Sequence, residues 1–415
     1  MRLNFTLLLF GSVVLVILGA GGSYAYSTYT EIVDTEEALP IDMLPPAPKV
    51  DTLSLLFVGD IMGHGPQIKA AQIVKNETYD FLPNYYYVQD IIQDADLAIG
   101  NLEVTLPGKP PYQGYPQFRS PDDLARALRL SGFDVMVTAN NHSNDAGKVG
   151  VINTIETLKS WGFYQTGTFK SQAERDAFYP LIIRKEGFRI ALLNYTYGTN
   201  GLPTRAPTVV NMIDTALIRA DLAKATALAP DFTIVVMHWG AEYQLDESQR
   251  QRRIADYALK SGADMIIGAH PHVIQPIKER PVPRPDGSVD TAIVVYSLGN
   301  FISNQKKENT DGGLIFEVDL LKDDTDSVYV GDHSYIPVWR YREQDERGTT
   351  FRILPVSRFE VNGRDSLDMP VADFKAMRSF GRRMRRHLDR FASVERRLGP
   401  RPTNSPSDTT AVSSR

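Results

Sequence analysis

Short apolar runs alternate with helical patterns along the chain from residue 53 to residue 320. Most of the runs are continuous stretches of Val, Ile and Leu, which are typical of β-strands that are covered on both faces. The pattern therefore predicts strands at Leu53–Gly59, Asp96–Gly100, Asp134–Thr138, Arg189–Tyr195, Thr233–His238, Met265–Gly268, Ala292–Ser297 and Leu314–Leu320.

The segments between these strands carry helix signals. The sequence Ser120-Pro121-Asp122-Asp123 combines a capping serine, a proline at the first helical position and acids in the first turn. Further helices are predicted over Val151–Trp161, Thr215–Leu228 and Ser248–Ser261. Because strands alternate with helices and no internal repeat is visible, the chain is predicted to fold in α/β layers.

Residues 1–29 contain an apolar segment, Phe5–Ala20, and Arg2 is the only charged residue before it. The segment is intermediate between a signal-peptide core and a membrane-spanning helix of roughly 20 residues. It predicts either an uncleaved anchor or a signal peptide cleaved near Ser23-Tyr24-Ala25, and a buried core helix is the third interpretation. An anchor or a signal would place the remaining chain outside the cytoplasm. Residues 30–50, acidic and then proline-rich, predict an extended spacer.

Residues 361–398 show the pattern of one amphipathic helix. Apolar residues recur every three or four positions, at Val371, Phe374, Met377, Phe380, Met384, Leu388, Phe391, Val394 and Leu398. The polar face carries Arg378, Arg382, Arg383, Arg385, Arg386, Arg390, Arg396 and Arg397. Two interpretations stay open: a solvated basic face on a packed helix, or a basic face that contacts acidic lipid or an acidic polymer. Residues 399–415 are predicted to be disordered.

The composition narrows the classes of function. The 415 residues carry a net charge of −5, which argues against a general nucleic-acid binder. The chain has no cysteine, so disulfides and thiolate metal sites are excluded. Any metal must be held by His, Asp, Glu or Asn, a set of ligands that suits zinc, manganese, iron or magnesium.

Polar side chains follow the predicted strands at the points where the strands end. They are Asp60 and His64, Asn101 and Glu103, Asn140, Asn141 and His142, His238, His270 and His272, and Asn300. Loops at the carboxyl ends of strands in layered α/β folds share one edge, where ligands bind. Imidazole, carboxylate and amide groups gathered at such an edge predict a metal site.

Each of these residues also has a structural interpretation. Asp60 could cap a helix, His142 and His238 could be buried structural imidazoles, and Glu103 could be a surface acid. The pair His270-Pro-His272 is the strongest single signal, because alternate residues of an extended segment point to one side. Six polar clusters at equivalent positions favour one shared site over separate coincidences.

The order of the motifs resembles a known family. GDIMGH, GNLEVTL, TANNHSNDAG, MHWGAEY, GAHPHVIQ and YSLGNF follow one another as they do in CapA, the poly-γ-glutamate capsule biosynthesis proteins. That family in turn resembles the calcineurin-like metallophosphoesterases. The resemblance implies an α/β domain over residues 51–360, built as a four-layer double β-sandwich flanked by helices. It also implies two divalent metal ions, Mn, Fe or Zn, at one edge.

The resemblance implies two carboxylate ligands. Asp60 corresponds to the aspartate of the family's first motif, whose usual histidine is replaced by Met62, with His64 as an accessory candidate. Asn101 stands where a bridging aspartate is usual, and Glu103 is expected to replace that carboxylate. A carboxylate is needed there because its charge offsets two dications.

The resemblance also implies the remaining ligands. Asn141 corresponds to the metal-binding asparagine of Gly-Asn-His, and His142 to the catalytic histidine that faces the leaving group. His238 corresponds to the lone histidine ligand, and His270 and His272 to the paired histidines. The accessory candidates, besides His64 and Asn101, are Asn140 and Asn300.

Two functions of different classes are compatible with these patterns. The first is an exported, membrane-tethered, metal-dependent hydrolase of the cell envelope that serves the synthesis or export of an anionic polymer such as poly-γ-glutamate. The second is a non-catalytic factor that binds polymer or metal within a membrane-bound synthesis or export complex. A plain structural subunit is a third. The protein is expected to face the periplasm or exterior from an inner-membrane anchor, or to be secreted to the periplasm, and to bind no nucleic acid.

Overall fold

Two β-sheets lie face to face at the centre of the computed structural model. The structure describes residues 50–73, 78–283, 287, 289–346, 348–362, 366–391 and 393–399. The leader, most of the spacer and the tail predicted from the sequence lie outside these residues. Among the residues described, none of the helices is both long enough and apolar enough to span a membrane.

The strands, in chain order, are β1 (Asp51–Ile61), β2 (Gln72–Ile73), β3 (Thr78–Tyr79), β4 (Leu97–Leu102), β5 (Val135–Val137), β6 (Tyr164–Thr166), β7 (Thr168–Phe169), β8 (Leu181–Lys185), β9 (Phe188–Thr196), β10 (Val209–Val210), β11 (Phe232–His238), β12 (Met265–Ala269), β13 (Ile277–Pro283), β14 (Val289–Val295), β15 (Asn300–Ile302), β16 (Gly312–Lys322), β17 (Val328–Asp345) and β18 (Gly348–Pro355). The α-helices are α1 (Gly65–Ala71), α2 (Gln89–Asp94), α3 (Asp123–Leu130), α4 (Gly147–Ser160), α5 (Gln172–Phe178), α6 (Thr215–Ala227), α7 (Gln249–Lys260), α8 (Val356–Phe359) and α9 (Val371–Leu388). Two short 3-10 helices cover Leu82–Tyr85 and Asp389–Phe391.

The first large sheet is antiparallel on one side of β1 and parallel on the other, whereas the second is parallel at the centre with an antiparallel strand at each margin. The first has the order β18-β17-β16-β1-β4-β5-β6, with β15 also paired to β1, and β1, β4, β5 and β6 are parallel. The second has the order β13-β14-β12-β11-β9-β8, and β9, β11, β12 and β14 are parallel. The carboxyl ends of the parallel strands lie at a common edge of each sheet, which is where the predicted polar clusters occur.

Alternate residues of each strand face different layers. Leu55 and Phe57 of β1 belong to the core between the sheets, with Ile234 of β11. Leu56 and Val58 face outward instead, into a core that they share with helices α1, α2, α3 and α4. The outer face of the second sheet packs on α6 and α7. The order helix, sheet, sheet, helix confirms the predicted four-layer α/β double sandwich.

All eight predicted strands are present, and several others were not predicted. No clear strand signal marks β13, because Pro281 and Pro283 argue against a strand. Proline is tolerated there because β13 lies at the margin of the second sheet, where a strand needs fewer backbone donors. The long β17 mixes polar and apolar residues without a continuous apolar run.

The ends of two predicted helices differ in the structure. Asp122, not Ser120, is the residue before α3, because Ser120 stays extended and its backbone N–H donates to Thr105 O at 2.9 Å. The C-terminal helix spans only Val371–Leu388 of residues 361–398. Its apolar period continues in the sequence, but the chain beyond it pairs with β17, where Tyr335 N–H donates to Val394 O at 2.9 Å. The pairing of this segment with β17 therefore ends the helix before the apolar pattern of the sequence ends.

Candidate metal centre

Loops from both sheets bring the predicted ligands together. Asp60 lies near the end of β1, and Glu103 directly follows β4, in the first sheet. His238 ends β11, and His270 and His272 follow β12, in the second sheet. These five side chains are at most 2% exposed. The site therefore lies between the two sheets, at the edge where their parallel strands end.

The ligand atoms form two groups that share Glu103. Ligand atoms of Asp60, Glu103 and His272 lie within 4.8 Å of one another, and those of Glu103, His238 and His270 do so as well. Glu103 Oε1 is 3.5 Å from His238 Nε2, and Glu103 Oε2 is 4.0 Å from His272 Nδ1. The carboxylate thus lies between the two groups, which is the position of a ligand that bridges two cations.

Asn141 lies beside the second group. Its Oδ1 is 2.8 Å from Nε2 of His238, while its Nδ2 donates to Oδ1 of Asn200 at 3.3 Å. The bond to Asn200 holds the amide nitrogen away from His238, so that the oxygen faces the imidazole. An amide oxygen at this position can serve the same cation as His238.

The donor atoms fit a metal centre. Among the buried atoms that have no hydrogen-bond partner in the described part of the chain are both carboxylate oxygens of Glu103 and Nδ1 of His270. A buried, unsatisfied polar group costs roughly 1–3 kcal/mol, and more when it is charged. Cations between the two groups would satisfy these atoms with oxygen and nitrogen ligands, as zinc, manganese and iron prefer.

The two carboxyl groups differ in their affinity for protons. Burial, together with the adjacent Asp60, raises the pKa of Glu103 well above its ordinary value. Burial also acts to raise the pKa of Asp60, but hydrogen bonds with His272 and Asn101 outweigh it and lower that pKa. In the metal-free protein Glu103 therefore holds a proton more tightly than Asp60 does. A cation that binds Glu103 must displace this proton.

The histidines of the second group are neutral at physiological pH. Burial, and then the neighbouring imidazoles, lower the pKa of His238 well below its ordinary value. Burial and His272 lower the pKa of His270 to about 3. A neutral imidazole keeps a lone pair for a metal ion, so burial prepares both residues for ligation.

The backbone of the paired histidines is strained. His270 has a φ of 98° and His272 a φ of 59°, in the left-handed region that residues with a Cβ rarely adopt. Strain of this kind clusters at functional sites, where the surrounding structure has to hold it in place. Here it turns both imidazoles of one short segment towards Glu103, each into a different group.

Asn101 and Asn140 support the ligands. Nδ2 of Asn101 donates to Asp60 Oδ1 at 2.8 Å and lies 3.3 Å from Nδ1 of His238. Its oxygen instead faces Asn140, whose Nδ2 is 3.4 Å away and donates to Leu102 O at 2.8 Å. Asn101 therefore contacts one candidate ligand of each group through its nitrogen, while Glu103 is the residue that both groups share.

The other accessory candidates occupy different places. Oδ1 of Asn300 lies 3.1 Å from Nδ1 of His272, so Asn300 orients that ligand. His64 belongs to neither group of the described residues: its Nδ1 accepts from Asn304 N at 3.2 Å, and its ring packs edge-on against Phe118. Burial lowers the pKa of His64 to about 4. The structure thus places His64 next to the site without bringing it among the candidate ligands.

His142 is held by an acid that the sequence analysis did not single out. Nδ1 of His142 is 2.7 Å from Oδ2 of Asp145, which also accepts from Phe118 N at 2.5 Å. The Phe118 ring packs edge-on against the imidazole at a centroid distance of 4.6 Å. Asp145 lies three residues after His142 in the motif TANNHSNDAG, so the spacing was a usable signal.

Tyr197 was also missed. Its ring centroid lies 4.5 Å from that of His270, and it follows β9, a strand after which no polar cluster drew attention. When an aromatic residue follows an apolar run, the sequence does not show whether its ring lines a site or packs in the core. Its place could be found only from the packing.

The family of the chain follows from comparison with known proteins. A family model described as "Bacterial capsule synthesis protein PGA_cap" matches residues 54–305, more than half of the chain. The chain belongs to this family. The match includes every candidate ligand from Asp60 to His272, and it confirms the resemblance to the CapA proteins drawn from the motifs.

Two curated relatives are similar over about two thirds of the chain. The PGA biosynthesis protein CapA of Bacillus subtilis (strain 168) is 28% identical over 291 residues, which are 66% of this chain and 70% of that protein. The capsule biosynthesis protein CapA of Bacillus anthracis is also 28% identical over 291 residues, 66% of each chain.

Solved structures with a similar backbone include two bacterial proteins. NAD nucleotidase (NadN) of Haemophilus influenzae has a TM-score of 0.47 at 12% identity, over 81% of this chain and 61% of that one. The calcineurin-like phosphoesterase YfkN of Bacillus subtilis has a TM-score of 0.41 at 15% identity, over 70% of this chain and 91% of that one.

Proposed function

We propose that the protein is a metal-dependent hydrolase of the cell envelope that serves the synthesis or export of an anionic surface polymer such as poly-γ-glutamate. The observation that carries the hydrolase part is the position of Glu103, which is shared by both ligand groups. A single structural cation would need no carboxylate that is shared by two groups of ligands. The polymer part rests on the membership of the PGA_cap family and on its capsule-biosynthesis relatives.

The chain supplies a ligand set for each of two cations. Asp60, Glu103 and His272 would hold one, and Glu103, Asn141, His238 and His270 the other. Paired divalent cations supply a nucleophilic hydroxide at neutral pH and clamp a phosphoryl or carbonyl oxygen. Asn101 and Asn300 fix the orientation of Asp60 and His272 in this arrangement.

His142 is the proton donor in this proposal. Asp145 and Phe118 fix the imidazole, and Nε2 makes no hydrogen bond within the described residues, so it is free to meet a substrate. A positioned imidazole can protonate the oxygen or nitrogen that departs. The proton returns to His142 from water after the product leaves.

Metal content and turnover test the proposal together. Full-length protein should carry about two equivalents of Mn, Fe or Zn by elemental analysis and should cleave a phosphodiester or γ-linked polyglutamate. His142→Ala should keep the metals and lose at least about 100-fold in turnover. His333→Ala is the matched control, because His333 lies on β17 and pairs with Glu279. An active His142→Ala protein would contradict the assignment.

A second candidate function is non-catalytic binding of the polymer. The outer face of α9 exposes Arg378, Arg382 and Arg386, and none of them has an acidic partner among the described residues. Three unpaired cations along one helix suit an anionic chain. Bound metal without turnover, together with salt-sensitive binding of polyglutamate, would favour this function.

The membrane attachment is part of the proposal. It rests on the apolar segment Phe5–Ala20, which lies outside the described residues. Protein recovered from membranes should have the full-length mass if the segment is an anchor. A mature protein that begins near Ala25 would instead show a cleaved signal peptide.

A further inference from the structure

A cavity of about 230 Å³ opens directly beside the second ligand group. Tyr197 borders both of them, because its ring lines the cavity and lies 4.5 Å from the ring of His270. Trp239, the neighbour of His238, lines the cavity as well. A molecule bound at the candidate metals could therefore extend an arm into this space without leaving the site.

The inner part of the cavity is apolar. Trp239 is 1% exposed, and its Nε1 is already used, because it donates to Tyr296 O at 3.0 Å. Ile213 and Ile254 add aliphatic surface. With its indole N–H occupied, Trp239 offers contact area to methylene groups, and the polar lining residues Ser248 and Gln251 are already hydrogen-bonded to each other.

The rim of the cavity carries an unpaired cation. Arg250, in the first turn of α7, lines the cavity, is exposed, and has no acidic partner among the described residues. Its neighbour Arg252 differs, because its Nη1 lies 3.2 Å from Oε1 of Glu247. The rim of the cavity therefore offers a positive charge at Arg250.

We propose that this cavity is a substrate subsite that holds a short aliphatic arm ending in a carboxylate, with the methylene groups against Trp239 and the carboxylate on Arg250. The assignment deepens the proposed function and rests on it for the reaction: the bond to be cleaved lies at the metals, and the arm belongs to the residue next to it. The terminal glutamate of a γ-linked glutamyl chain has this chemistry, because its side-chain carboxylate is free, whereas an internal residue uses that carboxyl group in the chain. Neutral chains lack the group that Arg250 would bind.

The test uses binding, which is independent of turnover. The probes are γ-glutamyl-glutamate and γ-glutamyl-glutamine, which differ by one side-chain carboxylate, and calorimetry on the full-length, metal-loaded protein measures both. The wild type should prefer the acidic peptide by about tenfold, and Arg250→Gln should lose this preference. Arg253→Gln is the control, because Arg253 is also exposed on α7 but does not line the cavity. Arg250→Lys should restore part of the preference.

Two results would overturn the subsite. One is equal binding of both peptides by the wild type, and the other is an equal loss of preference in Arg250→Gln and Arg253→Gln. The subsite is supported if Arg250→Gln loses the preference and Arg253→Gln keeps it. A protein that shows the Arg250-dependent preference but neither metal nor turnover would refute the hydrolase and keep the subsite. A protein that shows turnover but no preference for the acidic peptide would refute the subsite and keep the hydrolase.

Discussion

The carboxylate of Glu103 lies 3.5 Å from Nε2 of His238, although the two residues come from different sheets. Both oxygens of this carboxylate are buried and have no hydrogen-bond partner in the described part of the chain. A stable core does not need a buried carboxylate of this kind. Its position is explained when Glu103 is a ligand, and five predictions test the chemistry and the packing around it.

Replacing Glu103 with glutamine should uncouple the two cations. The amide keeps the shape but lacks the negative charge that offsets two dications. We expect the metal content of Glu103→Gln to fall from about two equivalents to about one or fewer, as measured by elemental analysis. Glu156→Gln is the control, since Glu156 is exposed on α4. Full metal content in Glu103→Gln would show that Glu103 does not bridge.

The stability of the metal-free protein should depend on pH through Glu103. Its pKa is raised in the folded state, so the folded protein holds this proton more tightly than the unfolded chain. The stabilisation is therefore complete below the unfolded pKa and is lost as the pH rises through the folded value. At about pH 8, chelator-treated Glu103→Gln should melt at a higher temperature than chelator-treated wild type, and the order should reverse when metal is added.

The lowered pKa of His270 should make the folded protein less stable at acidic pH, which is opposite in direction to the effect of Glu103. The folded value of about 3 lies below the ordinary value, so the unfolded chain takes up the proton first. Stability should fall as the pH drops from about 6.5 towards 3, and His270→Gln should flatten this slope in thermal melts. Glu103 acts in the other direction over part of this range, so the comparison is made between variants. An unchanged slope would mean that His270 is not buried as described.

The role of His142 can be separated from metal binding by the choice of leaving group. An alkyl alcohol needs a proton as it departs, whereas p-nitrophenolate does not. His142→Ala should therefore lose about 10²–10⁴-fold with an alkyl phosphodiester and far less with the nitrophenyl ester. Asp145→Asn, which loosens the imidazole, should show a smaller loss of the same pattern. Equal losses with both esters would indicate a structural or ligand role for His142.

Gly59 should be intolerant of any side chain. A Cβ at this position would lie 1.9 Å from the carbonyl oxygen of Gly299, where β1 and the segment before β15 approach closely. Gly59→Ala should therefore cost about 1–3 kcal/mol in unfolding free energy and displace Asp60, lowering the metal content. Gly65→Ala is the control, because its Cβ would meet no atom within 4 Å. Similar unfolding free energies for the two variants would refute the close approach.

Much of the fold could be predicted because continuous apolar runs mark the buried parallel strands. β1, β4 and β11 show this clearly, and the polar residues after them predicted the edge at which the ligand groups lie. The strands at the margins could not be found in this way. β13 and β17 are partly exposed, so their side chains are polar as often as apolar and the period is lost.

The parts of the site that escaped prediction depend on distant contacts. The sequence already favoured Glu103 over Asn101 as the bridging carboxylate, but it could not predict the orientation of the Asn101 amide, whose oxygen faces Asn140. His64 was a candidate by spacing, but its ring packs against Phe118. Tyr197 and Arg250 became visible only through the cavity that they share.

The two ligand groups draw on both sheets of the sandwich: Asp60 and Glu103 come from one, and His238, His270 and His272 from the other. Bound cations would thus act as a cross-link between the halves of the domain. Binding of the metal ions and packing of the two sheets would then be thermodynamically coupled. Loss of the metal ions would lower the stability of the protein as well as its activity. Treatment with a chelator should make the interface between the two sheets the first region to unfold.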